Sequence, residues 1–388
     1  MIEHKNAGAL RVGAWHAMPT TWRLRAQRAV PLPALILLMV ISTAHAQPTW
    51  TAVLYDSING GIIRIDTTGT VLEQRTLPRN ENSAYPQNVA YNATGDTLAY
   101  INYGEPPVLR ILGESDITLP LPADTTANSL AFDASTAVFS PDGTQFAYSI
   151  AQSQGEWQLT VLDVATGTPI ATLLHTSSPV TGFTPGQTPI VQGMDAAGNV
   201  RFVLAQAFSG FQTNFDTAYI WNTATNEVTA TGTPTAIDGD VLNGERLALL
   251  FDAALPNTAD AFPYPQANAL YLTAADGTRT LLFSTANVSM FWARFVAGGR
   301  YVMVGSFSPE NRIAWVLLDR AGNVVSDFPP LQMTGLRGTP DGFAYTVDAG
   351  GNGGSILYHV SVDASGAAEP IELWSSPAGV AYRVIRAG

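Results

Sequence analysis

Arg294, Arg337 and Arg383 each stand five residues before a glycine, namely Gly299, Gly342 and Gly388. A guanidinium carries a permanent charge and a planar fork of donors that fits a carboxylate or a phosphate. Three of them at equivalent points of neighbouring repeats would repel one another unless an anion or carboxylates sit among them. Two readings follow. One is an anion or acidic-sugar site. The other is an internal network in which Asp195, Asp238 and Asp240 serve as partners.

A second group is aromatic. Segment 206–217 carries Phe208, Phe211 and Phe215, and segment 252–268 carries Phe262 and Tyr264 beside Asp260, among three prolines. Aromatic side chains in long loops suit sugars, apolar ligands or a protein surface, and they also serve as plugs for their own loops. Catalytic signatures are sparse. Beyond residue 46 there are two histidines, His175 and His359, neither in a ligand spacing, and no G-x-S-x-G string. Paired carboxylates leave no local motif, so a glycan-processing chemistry based on them stays open. No EF-hand-type loop marks a calcium site, the metal question stays open, and no cofactor is implied.

These residues need elements to position them. A unit of short strand, glycine turn and short strand recurs with its turn at Gly95, Gly143, Gly198, Gly244, Gly299 and Gly342. Asp-Gly and Asn-Gly supply the positive φ of two-residue hairpins. A second turn follows each unit, as in Leu162-Asp163-Val164-Ala165-Thr166-Gly167 and Asp319-Arg320-Ala321-Gly322. Each period therefore holds four short strands, which predicts an all-β, seven-bladed β-propeller of antiparallel blades. After the sixth unit the chain leaves one lone strand at 379–386, and strands at 50–56, 61–66 and 71–77 lack an inner partner. One plus three closes the ring and hides its edges; six blades with loose tails is the alternative. Short turns fall on one face, and the long connections, 206–217 and 252–268 among them, fall on the other, where a ligand or partner is expected.

The string Phe139-Ser140-Pro141-Asp142-Gly143 with Ala147-Tyr148, followed by Leu159-Thr160-Val161-Leu162-Asp163, resembles the PD40 (WD40-like) repeat of TolB-like propellers. Thr339-Pro340-Asp341-Gly342 is a partial copy, and the other blades keep only the turn glycine. The resemblance implies an extracytoplasmic propeller that binds other molecules. The additional N-terminal domain of TolB has no counterpart here, so its role in envelope assembly is not carried over.

Composition narrows the partners. Arg23, Arg25 and Arg28 precede an apolar run from Val30 to Ile41, and Ala44-His45-Ala46 fits a signal-peptidase site. Residues 1–46 are therefore expected to be a cleaved signal peptide, with Met18 as an alternative start and a retained anchor as the competing reading. Residues 47–388 would then form a single propeller, periplasmic or secreted, with no membrane span. This part has no lysine, 14 arginines and 30 carboxylates, a net charge near −16. Such a surface repels phosphate backbones, so no nucleic-acid partner is expected. The absence of cysteine removes disulfides and thiolate chemistry. The function expected is a non-catalytic binding or scaffolding module for a protein, glycan or small molecule. The alternative is a propeller enzyme acting on glycans through paired carboxylates.

Overall fold

The computed structural model describes residues 49–80, 85–86, 89–102, 105–126, 137–152, 156–175, 187–206, 218–231, 238–256, 267–274, 278–286, 289–307, 313–328, 333–349 and 353–388. Seven antiparallel sheets of four principal strands follow one another round a ring, so the chain is a seven-bladed β-propeller. The inner strands of blades one to six are Ala90–Tyr91, Ala137–Phe139, Gln187–Met194, Asp238–Leu242, Ser289–Val296 and Met333–Gly338. Blade seven takes its inner strand, Arg383–Ala387, from the far end of the sequence and the other three, Thr51–Tyr55, Gly61–Asp66 and Val71–Thr76, from the near end. Ala387 pairs with Ala52, Arg386 with Val53 and Val384 with Leu54. The one-plus-three closure is therefore real, and Arg383–Ala387 covers what would be the open edge of Thr51–Tyr55.

The strands form because β-branched, aromatic and leucine residues alternate across them, and the blades stack because both sheet faces are apolar. Trp157, Leu159 and Val161 of blade two pack on Val200, Phe202 and Trp221 of blade three. Trp292, Met303 and Trp315 of blade five pack on Phe343, Tyr345 and Val360 of blade six. Trp157, Trp221, Phe202 and Phe343 are buried to within 1 % of full enclosure, and each such side chain stabilises by roughly 1.5–3 kcal/mol. Polar clips add to this. Arg320 Nη2 of blade five reaches Glu245 Oε1 of blade four at 2.5 Å, and Tyr301 donates to the Asp363 carbonyl of blade six at 2.7 Å.

The inner turns are less uniform than the sequence implied. Asn243-Gly244 is a two-residue hairpin, with φ of 52° and 81° joining the Leu242–Glu245 pair. The turns from Asn92 to Thr97 and from Ser140 to Gln145 enclose four residues instead. Gly342 is not in the left-handed region; it is glycine because a Cβ there would lie 1.8 Å from the Val360 carbonyl oxygen. The Ser-Pro-Asp-Gly string is bound up in its own turn. Asp142 Oδ1 accepts from Ser140 Oγ at 2.6 Å and from the Thr144 N–H at 3.1 Å, while Ser140 Oγ accepts the Gln145 N–H at 2.9 Å.

Candidate functional site: an arginine-lined central cavity

Counting pairs from the inner turn, the third residue on each inner strand is Ala90, Val138, Gly193, Asp240, Arg294, Arg337 and Arg386. Arg294 and Arg337 thus occupy equivalent positions in blades five and six. Arg383 does not share that position. Gly388 is itself the first paired residue of its strand, bonded to Thr51, and not a turn residue, so the third place falls on Arg386. Arg383 pairs with Tyr55 at the start of its strand, away from the cavity.

The inner strands of blades three to seven enclose a cavity of about 990 Å³. It runs from mid-strand, at Ile190 and Ile385, to the inner turns at Asp195, Gly299 and Pro340. The cavity therefore reaches the short-turn end of the ring. Five arginines line it: Arg201, Arg246, Arg294, Arg337 and Arg386. Among the described residues, two side-chain carboxylates do so, those of Asp195 and Asp240.

Both carboxylates hold backbone. Asp195 Oδ1 accepts the Ala197 and Asn199 N–H groups at 2.9 Å each, and Oδ2 accepts from Asn199 Nδ2. Asp240 Oδ2 accepts the Phe295 N–H at 2.9 Å and Oδ1 accepts the Val241 N–H. Three arginines also hold backbone. Arg294 Nη1 donates to the Ala293 carbonyl at 2.8 Å while its guanidinium lies 4.9 Å from the Trp292 ring centre. Arg337 Nη1 donates to the Leu336 carbonyl at 2.8 Å and Nε to the Ile385 carbonyl at 3.1 Å. Ile385 is the bulged residue of blade seven, so its carbonyl is off the ladder and takes a side-chain donor. Arg386 Nη2 donates to the Ala93 carbonyl of blade one, stitching the ring where the two ends of the sequence meet.

Arg201 and Arg246 differ. They sit on second strands, opposite Gly193 and Val241, where a reading confined to inner strands does not look. Both reach the same neutral atom: Gln192 Oε1 accepts from Arg201 Nε at 3.3 Å and from Arg246 Nη2 at 3.5 Å. Gln192 is a bulged residue, between Val191 and Gly193 in register, which turns its amide toward the two guanidiniums. No carboxylate among the described residues forms an ion pair with either. Nitrogens 3.3 and 3.5 Å from one oxygen are at most about 7 Å apart, and two unit charges at that distance repel by roughly 2 kcal/mol at an effective dielectric of 20. Burial lowers the affinity of both groups for their proton, and the Arg201 charge adds to the effect on Arg246, which falls to about 10.

Of the other expected site residues, Phe208, Phe211, Phe215, Phe262 and Tyr264 lie outside the described residues, as does the side chain of Asp238. His359 is buried and sits beside two groups the sequence did not bring together. Its Nε2 lies 3.2 Å from Asp341 Oδ1 and 3.3 Å from Thr339 Oγ1, with the ring 4.8 Å from that of Trp50. A nucleophile–base–acid relay uses the two ring nitrogens for different partners. Here one nitrogen meets both, and Thr339 Oγ1 itself donates to Asp341 at 2.9 Å, so the arrangement fixes the Thr339–Gly342 turn. No group of three or more metal-ligating side chains gathers among the described residues. No described helix is long and apolar enough to cross a membrane.

No protein-family model matches the chain, and no curated protein matches it in sequence. Solved structures do. A prolyl endopeptidase aligns with a TM-score of 0.52 at 11 % identity, covering 83 % of this chain and 50 % of that one. The β-propeller domain of the Trilobed protease from Pyrococcus furiosus gives 0.49 at 10 % identity, covering 81 % and 89 %. TolB from Acinetobacter baumannii gives 0.41 at 13 % identity, covering 71 % and 62 %. This chain thus spans about half the length of the prolyl endopeptidase it matches. At such identity the likeness to that enzyme is one of fold.

Proposed function

We propose that this chain is an exported, non-catalytic β-propeller that holds an anionic ligand in its central cavity. The observation that carries the reading is the charge inventory of that cavity. Among the described residues five guanidiniums line it against two side-chain carboxylates, in a chain whose net charge is −12, and both of those bind backbone N–H groups. Concentrating cations in a partly enclosed space is unfavourable unless a counter-charge arrives. An acidic sugar or another small acid supplies it and gains charge-assisted hydrogen bonds. The PD40-like string and the signal-peptide pattern support kinship with extracytoplasmic propellers of the TolB type, with residues 1–46 removed and 47–388 retained. The enzyme alternative needs a carboxylate pair at the mouth of the long connections; the two described aspartates of the cavity, Asp195 and Asp240, hold backbone N–H groups.

The test is a screen of the exported protein against neutral and acidic glycans and small metabolites, read by thermal shift and calorimetry. Acidic compounds should bind, raise the melting temperature and lose affinity as salt rises. Hits confined to neutral compounds would remove the anion reading, and turnover of any hit would remove the non-catalytic one. Sequencing of the mature N-terminus should begin at Gln47.

A further inference from the structure

Within that reading, we infer that Arg201, Arg246 and Gln192 form a carboxylate-binding subsite, and that its ligand is an acid with an aliphatic body. Arg201 and Arg246 meet only a neutral amide oxygen among the described residues. Arg294, Arg337 and Arg386, across the cavity, each have a backbone carbonyl. The pair from blades three and four therefore shares one acceptor atom between two guanidiniums, where each of the other three has an acceptor of its own. Each member also has an aliphatic neighbour directly across its strand pair. Ile220 pairs with Arg201 and Val241 with Arg246, and both line the cavity while staying 39 % and 62 % exposed. An exposed aliphatic side chain beside each guanidinium matches a ligand with charge at one end and hydrocarbon at the other. Space for it exists beside the pair. Gly193, opposite Arg201, has no atom within 4 Å of where a Cβ would sit and lies outside the left-handed region. Glycine there serves neither backbone strain nor close packing, and it leaves that part of the cavity open.

The carboxylate could belong to a free small acid or to the C-terminus of a peptide, and the probes separate these. The full protein is titrated with N-acetyl-leucine, its neutral amide, inorganic phosphate, and a leucine-terminated hexapeptide as acid and as amide. N-acetyl-leucine should bind at least tenfold more tightly than its amide and than phosphate. A hexapeptide acid tighter than N-acetyl-leucine assigns the carboxylate to a peptide end; equal affinity assigns it to the free acid. Arg201→Gln and Arg246→Gln should each weaken binding about tenfold or more without lowering the melting temperature. Gly193→Leu should abolish binding by filling the space, with the arginines intact. Amide or phosphate binding equal to that of the acid overturns the inference. So do variants that lose stability while keeping affinity. If no leucine acid binds but an acidic glycan does, and Arg294→Gln removes it, this subsite falls while the central-cavity reading stands. If no anion binds at all, both fall.

Discussion

Asp240 Oδ2 accepts the backbone N–H of Phe295 at 2.9 Å, so one carboxylate of blade four satisfies an inner-strand donor of blade five. A side chain here performs what a ladder hydrogen bond performs within a blade. Removing it strands the Phe295 amide between the two inner strands. Asp240→Ala should cost about 1–3 kcal/mol, and Asp240→Asn, which keeps an acceptor oxygen, distinctly less. Denaturant unfolding of the two variants measures this; equal losses would show that charge, not acceptance, is what matters.

Arg337 bridges blades six and seven through the Leu336 and Ile385 carbonyls. Arg337→Ala should therefore destabilise the ring by about 1–3 kcal/mol. Thermal melts with and without an acidic hit from the screen decide its part. Lost stability with the ligand shift retained marks Arg337 as a clip between blades, whereas a lost ligand shift at unchanged stability marks it as ligand-binding.

The turn aspartates set the acid limit. Hydroxyl or amide donors within their own turns hold Asp66, Asp142, Asp163, Asp319 and Asp363 below the ordinary value of 3.8. A carboxylate depressed on folding contributes stability that is complete above its unfolded value and is lost as pH falls through the folded one. The melting temperature should hold on the neutral side of 3.8 with respect to these groups and drop below it. Asp319→Asn and Asp66→Asn together should flatten that drop, since Asn keeps the acceptor and does not titrate. An unchanged acid limb would refute the assignment.

His359 adds a second window. Burial lowers its proton affinity below the usual 6.5, and Asp341 beside it only partly opposes this. The folded state therefore binds the proton less readily than the unfolded one. Its contribution is whole above pH 6.5 and declines as pH falls from there. An NMR titration of the ring should give a midpoint below 6.5, and His359→Gln should remove the slope. A midpoint above 6.5 would show that Asp341 outweighs burial.

Strand Arg383–Ala387 completes blade seven, and Val384 within it is fully buried against Trp50, Leu54 and Ile63. A chain ending at Tyr382 exposes this core and the inner edge of Thr51–Tyr55. It should lose its cooperative melt or aggregate, seen by circular dichroism and light scattering. A melt like that of the intact chain would mean the strand is dispensable.

The ring was legible because its punctuation is local: six turn glycines at similar spacing and two unpaired ends. The cavity was legible only in part. Arg294 and Arg337 follow from counting back to the turn, since blades five and six make that turn covalently. Blade seven makes it between Gly388 and Thr51, which bond backbone to backbone without a connecting segment. There Gly388 is already a paired residue of the inner strand, so counting five places back from it overshoots Arg386, and the spacing alone does not tell a turn glycine from a strand glycine. Arg201 and Arg246 escape the spacing argument for another reason. They belong to second strands; the missing side chain at Gly193 leaves space opposite Arg201, and the bulge at Gln192 gives both one acceptor. The glycine is visible in the sequence; that it faces an arginine requires the register. From sequence Asp195 and Asp240 are available partners for the arginines, whereas in the structure both bind backbone amides, a competition that composition does not reveal.

Closure by strands from opposite ends of the sequence also sets the order of assembly. Ala387 cannot meet Ala52 until every intervening blade has been made, and such long-range pairing is the slowest contact for a chain to find. Blades one to six can stack as each appears, but the seventh waits for the final residues. On the proposal that the protein is exported, the threaded chain would stay an open arc until strand Arg383–Ala387 emerges. The cavity, whose wall includes that strand, would come into being only outside.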